Sequence, residues 1–442
     1  MDPRRCYIAV MRQWRLIVLL VGELAVLLAM LNVGDLRGHV PLFIWLFVAA
    51  AALYVAAALT AMQLRLSFVS VLVIALQLRI PMFFTEPTLS DDVWRYLHDG
   101  RAQAAGINPY AYAPDDPRTV QYRGPEFARI NHPQLPTIYP PVAQFAFRLA
   151  VATPDPLLAW RLLILAAELT ILIAGALLLK RHGLPPANLA LYAWHPLAIV
   201  EGIGSAHLEP IGIAFLVVTA FFVTRGFPGR TGASLAASVA AKLVAAPLLI
   251  FSTRNTRTLL FFIAVLSAVY LPFILDGSNA FGSFRIFSET WESNGSVFAL
   301  IAPMIGGRQY RLLAAAVIIG LLGLLKWKQN QFVDAALAFF LTLFLLSPVV
   351  HPWYLLWLVP FLAMRARPFD LIGCTALAWT ITVVLAYSAQ EQLLATGVWK
   401  ITERMLLAEY APVYLLLIIA ATARPFSQMK LAPITRKNAA KM

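Results

Sequence analysis

The chain is poor in cysteine and poor in charge. Only two of its 442 residues are cysteines, Cys6 and Cys374, which excludes a disulfide framework or a thiolate metal site and leaves both as structural residues. Charged side chains make up 13% and hydrophobic ones 60%, with a mean hydropathy of +0.74. A soluble globular domain carries about 45–50% apolar residues, so that class is excluded and a polytopic membrane protein remains. No low-complexity tract, internal repeat or separate soluble domain is visible, and residues 1–442 read as one unit. A small-residue cleavage site is missing as well. Arg4, Arg5, Arg12 and Arg15 precede the first apolar segment, which therefore reads as a retained helix rather than a signal peptide.

What is abundant is apolar sequence. Runs of about 17–25 residues, some shorter or broken, lie near 16–33, 41–62, 66–84, 157–179, 188–204, 208–224, 257–275, 310–325, 332–350, 353–364, 369–388 and 408–423. They predict an all-α polytopic membrane protein with about twelve crossings. With the amino terminus inside, the cytoplasmic segments receive Arg65, Lys180 and Arg181, Arg225 and Arg230, Arg254 and Arg257, Lys326 and Lys328, Arg365 and Arg367, and the basic tail from Arg424. Of the 22 acidic residues only Asp2, Asp334 and Asp370 fall on that side. The net charge of +13 thus reports topology in an inner (plasma) membrane, with both termini cytoplasmic, and does not point to nucleic acid. Thr231 to Phe251 is apolar enough to cross, but a crossing there would invert every later loop. A re-entrant or broken helix pair is expected instead, with Lys242 at its centre; a snorkelling lysine is the alternative.

This topology gathers the polar segments on the extracytoplasmic face. They are the loop 85–156, the AHLEP turn at Ala206 to Pro210, the stretch from Asp276 to Ser296, the HPWY turn at His351 to Tyr354 and a short loop around Glu391. A site assembled from convergent loops is the economical reading. Richest is SDDVWRYLHDGRAQAAGINPY, Ser90 to Tyr110. It sets Asp91 and Asp92 where a membrane helix emerges into water, able to meet a lipid-borne and a soluble reactant alike. Val93, Trp94, Leu97 and Ala104 predict an amphipathic helix over 91–105 lying along the membrane surface, ended by Gly106. Turns are expected at Asn108-Pro109 and Pro114 to Pro117, and a second interfacial helix over 137–151.

Along this loop Asp92 is followed four residues later by Tyr96, then by the Gly-x-x-Pro-Tyr run Gly106 to Tyr110, then by Tyr139 to Pro141. In that order and spacing the chain resembles the GT-C class of integral-membrane glycosyltransferases. It is most similar to the bacterial polyprenyl-phosphate-mannose-dependent mannosyltransferase-like families, and more distantly to the eukaryotic GPI mannosyltransferase catalytic subunit. A weaker likeness runs on through AHLEP, the segment with Lys242, WESNGS and HPWY. The resemblance implies a GT-C-like fold and a polyprenyl-phosphate-linked sugar donor. It suggests mannose first, although arabinose, glucose or aminoarabinose need only different hydroxyl contacts. The acceptor is a hydroxyl on a glycan, lipid or protein.

Transfer from a phosphate carrier to an alcohol needs a base for the acceptor hydroxyl and cationic or hydrogen-bonding groups for the leaving phosphate. Asp92 is the expected base. Asp91 would raise its proton affinity, orient it, or share a divalent cation with it, Mg or Mn. The non-catalytic alternative is that both aspartates cap the helix. For the phosphate the candidates are Arg95, Arg101, Lys242, Arg285 and His351, each charged contact contributing about 1.5–3 kcal/mol. For sugar and acceptor they are Tyr96, Asn108, Tyr110, Tyr139, His207, Glu209, Glu289, Trp291, Glu292, Asn294 and Tyr354, with Trp291 as a stacking platform. The similar families carry a histidine and an acidic residue at the AHLEP turn, where this chain has Glu209 in place of the commoner aspartate. Glu23, Glu168 and Glu201 lie within apolar segments and need partners there; Glu168 and Glu201 read as buttresses of helix contacts. The competing readings are a lipid-linked-glycan flippase or transporter, which should show repeats and midplane charges, and an oligosaccharide ligase or polymerase, which lacks the Asp92 to Tyr110 signature.

Overall fold

A computed structural model describes residues 3–252, 255–329 and 331–422. Asp2, Arg254 and the basic tail from Arg424 lie outside the described residues, as do the side chains of Arg4, Arg5 and Cys6. Apolar chain in lipid must pair its backbone polar groups within the segment, and helices do this. Among the described residues no strand forms. The isolated bridges join Ser293 and Asn294 to Val349.

The helices in order are α1 (Pro3–Val33), α2 (Val40–Leu64), α3 (Phe68–Phe84), α4 (Asp92–Ala104), α5 (Pro141–Ala150), α6 (Pro156–Arg181), α7 (Ala190–Ala193), α8 (Glu209–Arg225), α9 (Pro228–Ala241), α10 (Thr256–Ile274), α11 (Gly282–Thr290), α12 (Ser296–Ile305), α13 (Gly307–Trp327), α14 (Phe332–Leu346), α15 (Val359–Ala363), α16 (Leu371–Thr382), α17 (Ser388–Thr396) and α18 (Glu403–Thr422). Among the described residues seven helical stretches are long and apolar enough to cross a membrane, or eight if the pair 198–204 and 209–225, bent by 117°, is one span. The sequence predicts about twelve, and the difference lies in broken runs. The expected runs 188–204 and 208–224 meet at that bend, while 353–364 opens as a 3₁₀ turn, Pro352–Trp357, before α15. Runs 66–84 and 332–350 yield α3 and α14, of 17 and 15 residues, short of the roughly 20 that a full helical crossing takes.

Thr231 to Phe251 breaks at Lys242, as the sequence suggests. α9 packs antiparallel to α8, with Ser238 Oγ donating to the Gly212 carbonyl at 2.8 Å and Thr219 paired with Ser234 at 2.9 Å. At Lys242 the backbone turns extended, with φ −154° and ψ 126°, and a 3₁₀ stretch, Leu243–Phe251, follows. At about 2 Å rise per residue it carries the chain back to the end where Lys326 Nζ, at the close of α13, donates to the Ile250 carbonyl. The expected buttress at Glu168 is also present. Arg79 of α3 meets Glu168 of α6 through two hydrogen bonds of 2.7 and 3.2 Å, with both side chains buried. At the opposite end from the long loop, Arg365 binds Asp334 at 2.7 Å and Asp370 at 2.6 Å, fastening α14 to α16.

The loop after α3 is a packed structure. α4 starts and ends as expected, and Gly106 follows it with φ +78°, a left-handed turn that glycine makes without strain. Instead of lying free along a surface, however, α4 is enclosed. Val93, Arg95, Tyr96, Leu97, His98 and Asp99 are buried, because α5 covers one flank and the 3₁₀ turns Pro117–Tyr122 and Pro125–Arg129 cover another. Arg101 Nε donates to Glu126 at 2.8 Å and latches that cover. Gly100 lets α4 and α5 approach so closely that a Cβ there would collide with the Phe147 backbone carbonyl.

Gly100→Val is expected to lower stability by about 1–3 kcal/mol through overpacking, read as an earlier thermal transition of the purified protein in detergent. Gly320→Ala, where nothing lies within 4 Å of the added carbon, is the control and is expected to leave the transition in place or raise it. Equal transitions in wild type and Gly100→Val would contradict the packing described.

Candidate functional site at the α4 amino terminus

Ser90, Asp91 and Asp92 turn the chain from α3 into α4. Asp91 occupies the N-cap position but makes no capping hydrogen bond; its two oxygens take the two terminal nitrogens of Arg37 at 2.9 and 3.0 Å. Helix capping therefore does not account for Asp91. Asp92 lies one residue deeper, its carboxylate 21% exposed. Burial pushes its pKa up to about 6, helped by the Glu209 and Asp91 charges and opposed by Lys242 and by a hydrogen bond from Tyr139. The floor beneath is aromatic: Tyr96 stacks on Phe147 at 4.6 Å and meets Tyr139 edge-on at 4.9 Å and Trp160 at 5.4 Å. Its four-residue spacing from Asp92 thus seats the helix start on the aromatic floor of the cavity.

The opposite wall comes from the AHLEP turn. Ala206 is left-handed at φ 56°, and its carbonyl accepts from Trp160 Nε1 at 2.7 Å. Arg161 beside it donates to the carbonyls of Ile203, Gly204, Phe83 and Thr85, so one guanidinium ties the end of α3 to this turn. His207 is thereby held with Nδ1 3.8 Å from Asp92 Oδ2 and Nε2 3.5 Å from Glu201 Oε2, and neither ring nitrogen has a hydrogen-bond partner. Its ring stacks on Trp353 at 4.0 Å, and Trp353 stacks on His351 at 4.5 Å, which links HPWY to AHLEP. Burial, with Lys242 nearby, holds His351 down to about 4. Glu209 forms an ion pair with Lys242, whose ammonium also faces the Tyr354 ring at 4.4 Å.

These groups border a cavity of 1160 Å³. Asp91, Asp92, Arg95, Tyr96, Tyr139, Lys242, Trp291, Glu292, His351 and Tyr354 line it; His207 and Glu209 stand directly behind. Other candidates lie elsewhere. Arg101 is held by Glu126. Arg285 and Glu289 pair with each other at 3.3 Å on the exposed face of α11, 79% and 61% exposed. Asn108 fastens the loop to Phe273, Asp276 and Ser278, and the Tyr110 hydroxyl donates to the Tyr139 carbonyl at 2.7 Å. Asn294, left-handed at φ 57°, gives its amide to both oxygens of buried Glu409 and so anchors the WESNGS loop beside His351. Arg95 reaches the lining but is already engaged by Asp99 at 2.8 Å and the Leu135 carbonyl at 2.9 Å.

The structure also brings in residues absent from the sequence-based candidates: Arg37, Arg311, Trp353, Tyr387 and Glu201. Glu201 reads as a buttress in sequence and does accept from the Tyr387 hydroxyl at 2.8 Å, yet its other oxygen faces His207. The available signal was a carboxylate in an apolar run six residues before that histidine; the π-helical turn Ala198–Gly204 that aims it has no sequence mark. Among the described residues no three His, Cys, Asp or Glu side chains are grouped to hold a metal ion, and Arg37 already takes both oxygens of Asp91.

No curated protein and no solved structure matches this chain. A family model does, that of the alpha-(1->6)-mannopyranosyltransferase N-terminal domain, over residues 10–255. That range takes in most of α1 and α2 to α9, with Asp91, Asp92 and Lys242 of the cavity lining and His207 and Glu209 behind it. The chain belongs to this alpha-(1->6)-mannopyranosyltransferase family and is a membrane glycosyltransferase that transfers mannosyl groups.

Proposed function

We propose that the chain moves mannose from a polyprenyl-phosphate carrier to an acceptor hydroxyl on the extracytoplasmic face, with Asp92 as general base. The observation that carries this reading is the juxtaposition in one cavity of a carboxylate of raised pKa with a cationic wall. As the acceptor oxygen bonds to the sugar C1, its proton passes to Asp92 and the C1–O bond to phosphate breaks, the electron pair leaving with the phosphate. Lys242 supplies positive charge to that leaving group, and Glu209 holds the ammonium in place. His207 lies between Asp92 and Glu201 and offers the proton a way onward. Trp291, against which His132 packs edge-on at 4.9 Å, presents a ring at the rim for the sugar of a glycan acceptor. Asp91, countered by Arg37, tunes and orients Asp92, and the chemistry runs on side chains, so chelators are expected to leave turnover unchanged. Family membership favours transfer over flipping, and the motif order favours transfer over ligation.

Asp92→Asn keeps the shape but cannot take the acceptor proton, so turnover with polyprenyl-phosphate mannose should fall by about 10²–10⁴-fold with the thermal transition unchanged. Near-wild-type turnover would remove Asp92 as base. In wild type, kcat/KM should fall as pH drops through about 6, because protonated Asp92 cannot act as a base. Asp91→Asn removes a charge that raises this pKa and should move the acidic limb to lower pH. A limb unmoved in that variant would separate Asp91 from the titration. The face of the membrane is tested by an impermeant thiol reagent on intact cells: in a background with Cys6 and Cys374 replaced, Ala111→Cys, an exposed loop position, should label without lysis. Labelling only after lysis would invert the topology.

A further inference from the structure

Four cations reach the cavity from its described lining besides those of the histidines: Arg37, Arg95, Lys242 and Arg311. All four have a carboxylate within ion-pair distance, but only three are hydrogen-bonded to it, Arg37 to Asp91, Arg95 to Asp99 and Lys242 to Glu209. Arg311 differs. Its Nε and Nη2 are buried without a hydrogen-bond partner; the nearest carboxylate, Glu292, stands 3.6 Å from Nη2 and is 56% exposed, and the remaining neighbour is the Phe298 ring at 5.2 Å. Nε and Nη2 form one edge of the guanidinium, the edge that grips two oxygens of a phosphate in parallel. A buried donor pair of this kind is costly unless an anion meets it.

Its position says which anion. Arg311 lies in the first turns of α13, and Ala315, one turn on, lines the same cavity together with Leu243, Val244, Leu343 and Phe344. These come from the 3₁₀ stretch after Lys242, from α13 and from α14, so the lining next to Arg311 includes an apolar arm made by three segments, one of them a helix long and apolar enough to cross a membrane. The far side of α13 is apolar and open, with Leu312 66% and Ile319 69% exposed, as a helix facing lipid should be. Arg311 therefore marks the junction where a polar chamber holding Asp92 meets an apolar arm beside the bilayer.

We propose that Arg311 binds the phosphate of an isoprenoid phosphodiester through its Nε and Nη2 edge, with the isoprenoid chain lying in the arm lined by Leu243, Val244, Ala315, Leu343 and Phe344. This deepens the donor assignment above and rests on it. Arg311 takes the place that sequence reasoning offered to Arg95 and Arg101, both of which are engaged by carboxylates. The sugar attached to that phosphate then projects past Lys242 toward Asp92.

The test is binding of farnesyl phosphate, which carries no sugar, to the full-length protein in detergent. Wild type should bind it, Arg311→Gln should weaken binding by about tenfold or more, and Arg311→Lys should recover part of the loss, since an ammonium keeps the charge without the paired edge. Ala315→Trp, which fills the arm and leaves Arg311 in place, should weaken farnesyl phosphate while leaving geranyl phosphate less affected. Farnesol should bind equally poorly to wild type and Arg311→Gln. Equal affinity of wild type and Arg311→Gln for farnesyl phosphate overturns the proposal, and so does equal competition by phosphatidylglycerol, which would make this a general phospholipid site. If farnesyl phosphate binds through Arg311 and no mannosyl transfer from a polyprenyl-phosphate donor is found, the donor reading fails while the binding site stands. If transfer proceeds and Arg311→Gln alters neither KM nor farnesyl phosphate affinity, the site fails while the donor reading stands.

Discussion

The ion pair between Lys242 and Glu209 is the interaction on which the site depends. Lys242 stands where the helical run after α8 breaks, and a charge buried in an apolar bundle needs a countercharge or it destabilises the fold. Glu209 supplies it from the first turn of α8, one residue before Pro210, so two broken helices meet at one pair. The pair does more than neutralise. Its carboxylate raises the Asp92 pKa and its ammonium lowers it, with burial above both, so Asp92 is poised near neutrality by two opposed charges that are themselves bound together. The ammonium also faces the Tyr354 ring, which brings HPWY into register with the break. Removing either partner would unsettle the fold and the titration at once.

Around that pair the walls are positioned by groups that meet no substrate. Trp160 and Arg161 hold five carbonyls, those of Ile203, Gly204 and Ala206 around the AHLEP turn and of Phe83 and Thr85 at the end of α3, and they brace Ala206 in a left-handed conformation that an alanine avoids. Glu409 does the same for the WESNGS loop through Asn294, with Trp379 Nε1 as a further donor at 3.0 Å. In both cases one buried polar side chain satisfies backbone or amide groups that an irregular turn in a membrane protein would otherwise leave unpaired. Irregular backbone is confined to places where such a group is waiting.

This explains what was legible in the sequence and what was not. The all-helical membrane character, the start of α4 and the stop at Gly106 follow from local composition and hydropathy, which short-range physics controls, whereas the break at Lys242 is expected from the lysine and arginine bias of the later loops. The convergence of Asp92, His207, Lys242, His351 and Tyr354 was also legible, through motif order and shared face. Partnership was not. Arg101 and Arg311 look alike in sequence, yet Arg101 is latched to Glu126, 25 residues on, while Arg311 lines the cavity with two nitrogens that make no hydrogen bond. Glu289 and Glu292 lie three residues apart, and the one in the last turn of α11 points outward to Arg285 while the other, just past the end of that helix, borders the cavity. Which of two similar residues faces the site is decided by where a helix ends and by packing across the whole bundle. The expected count of about twelve crossings is not confirmed for a related reason, since hydropathy registers apolar runs and is blind to a bend within one.

The cavity also constrains the order of events. Its lining differs in kind from part to part: Asp91, Asp92 and Tyr139 belong to a polar part, and Leu243, Ala315 and Phe344 to an apolar one. A lipid carrier can enter only where its chain remains in apolar surroundings, because each methylene moved into water costs about 0.8 kcal/mol. An acceptor with many hydroxyls has the opposite requirement and must come from the rim near Trp291 and Trp399. On the function proposed above, the two reactants approach from different directions and meet at Asp92 without either crossing the other's part of the cavity. The proposed base has to remain unprotonated when the acceptor arrives and take up a proton when the bond forms, a role that suits a carboxyl with a pKa near 6 beside a buried histidine.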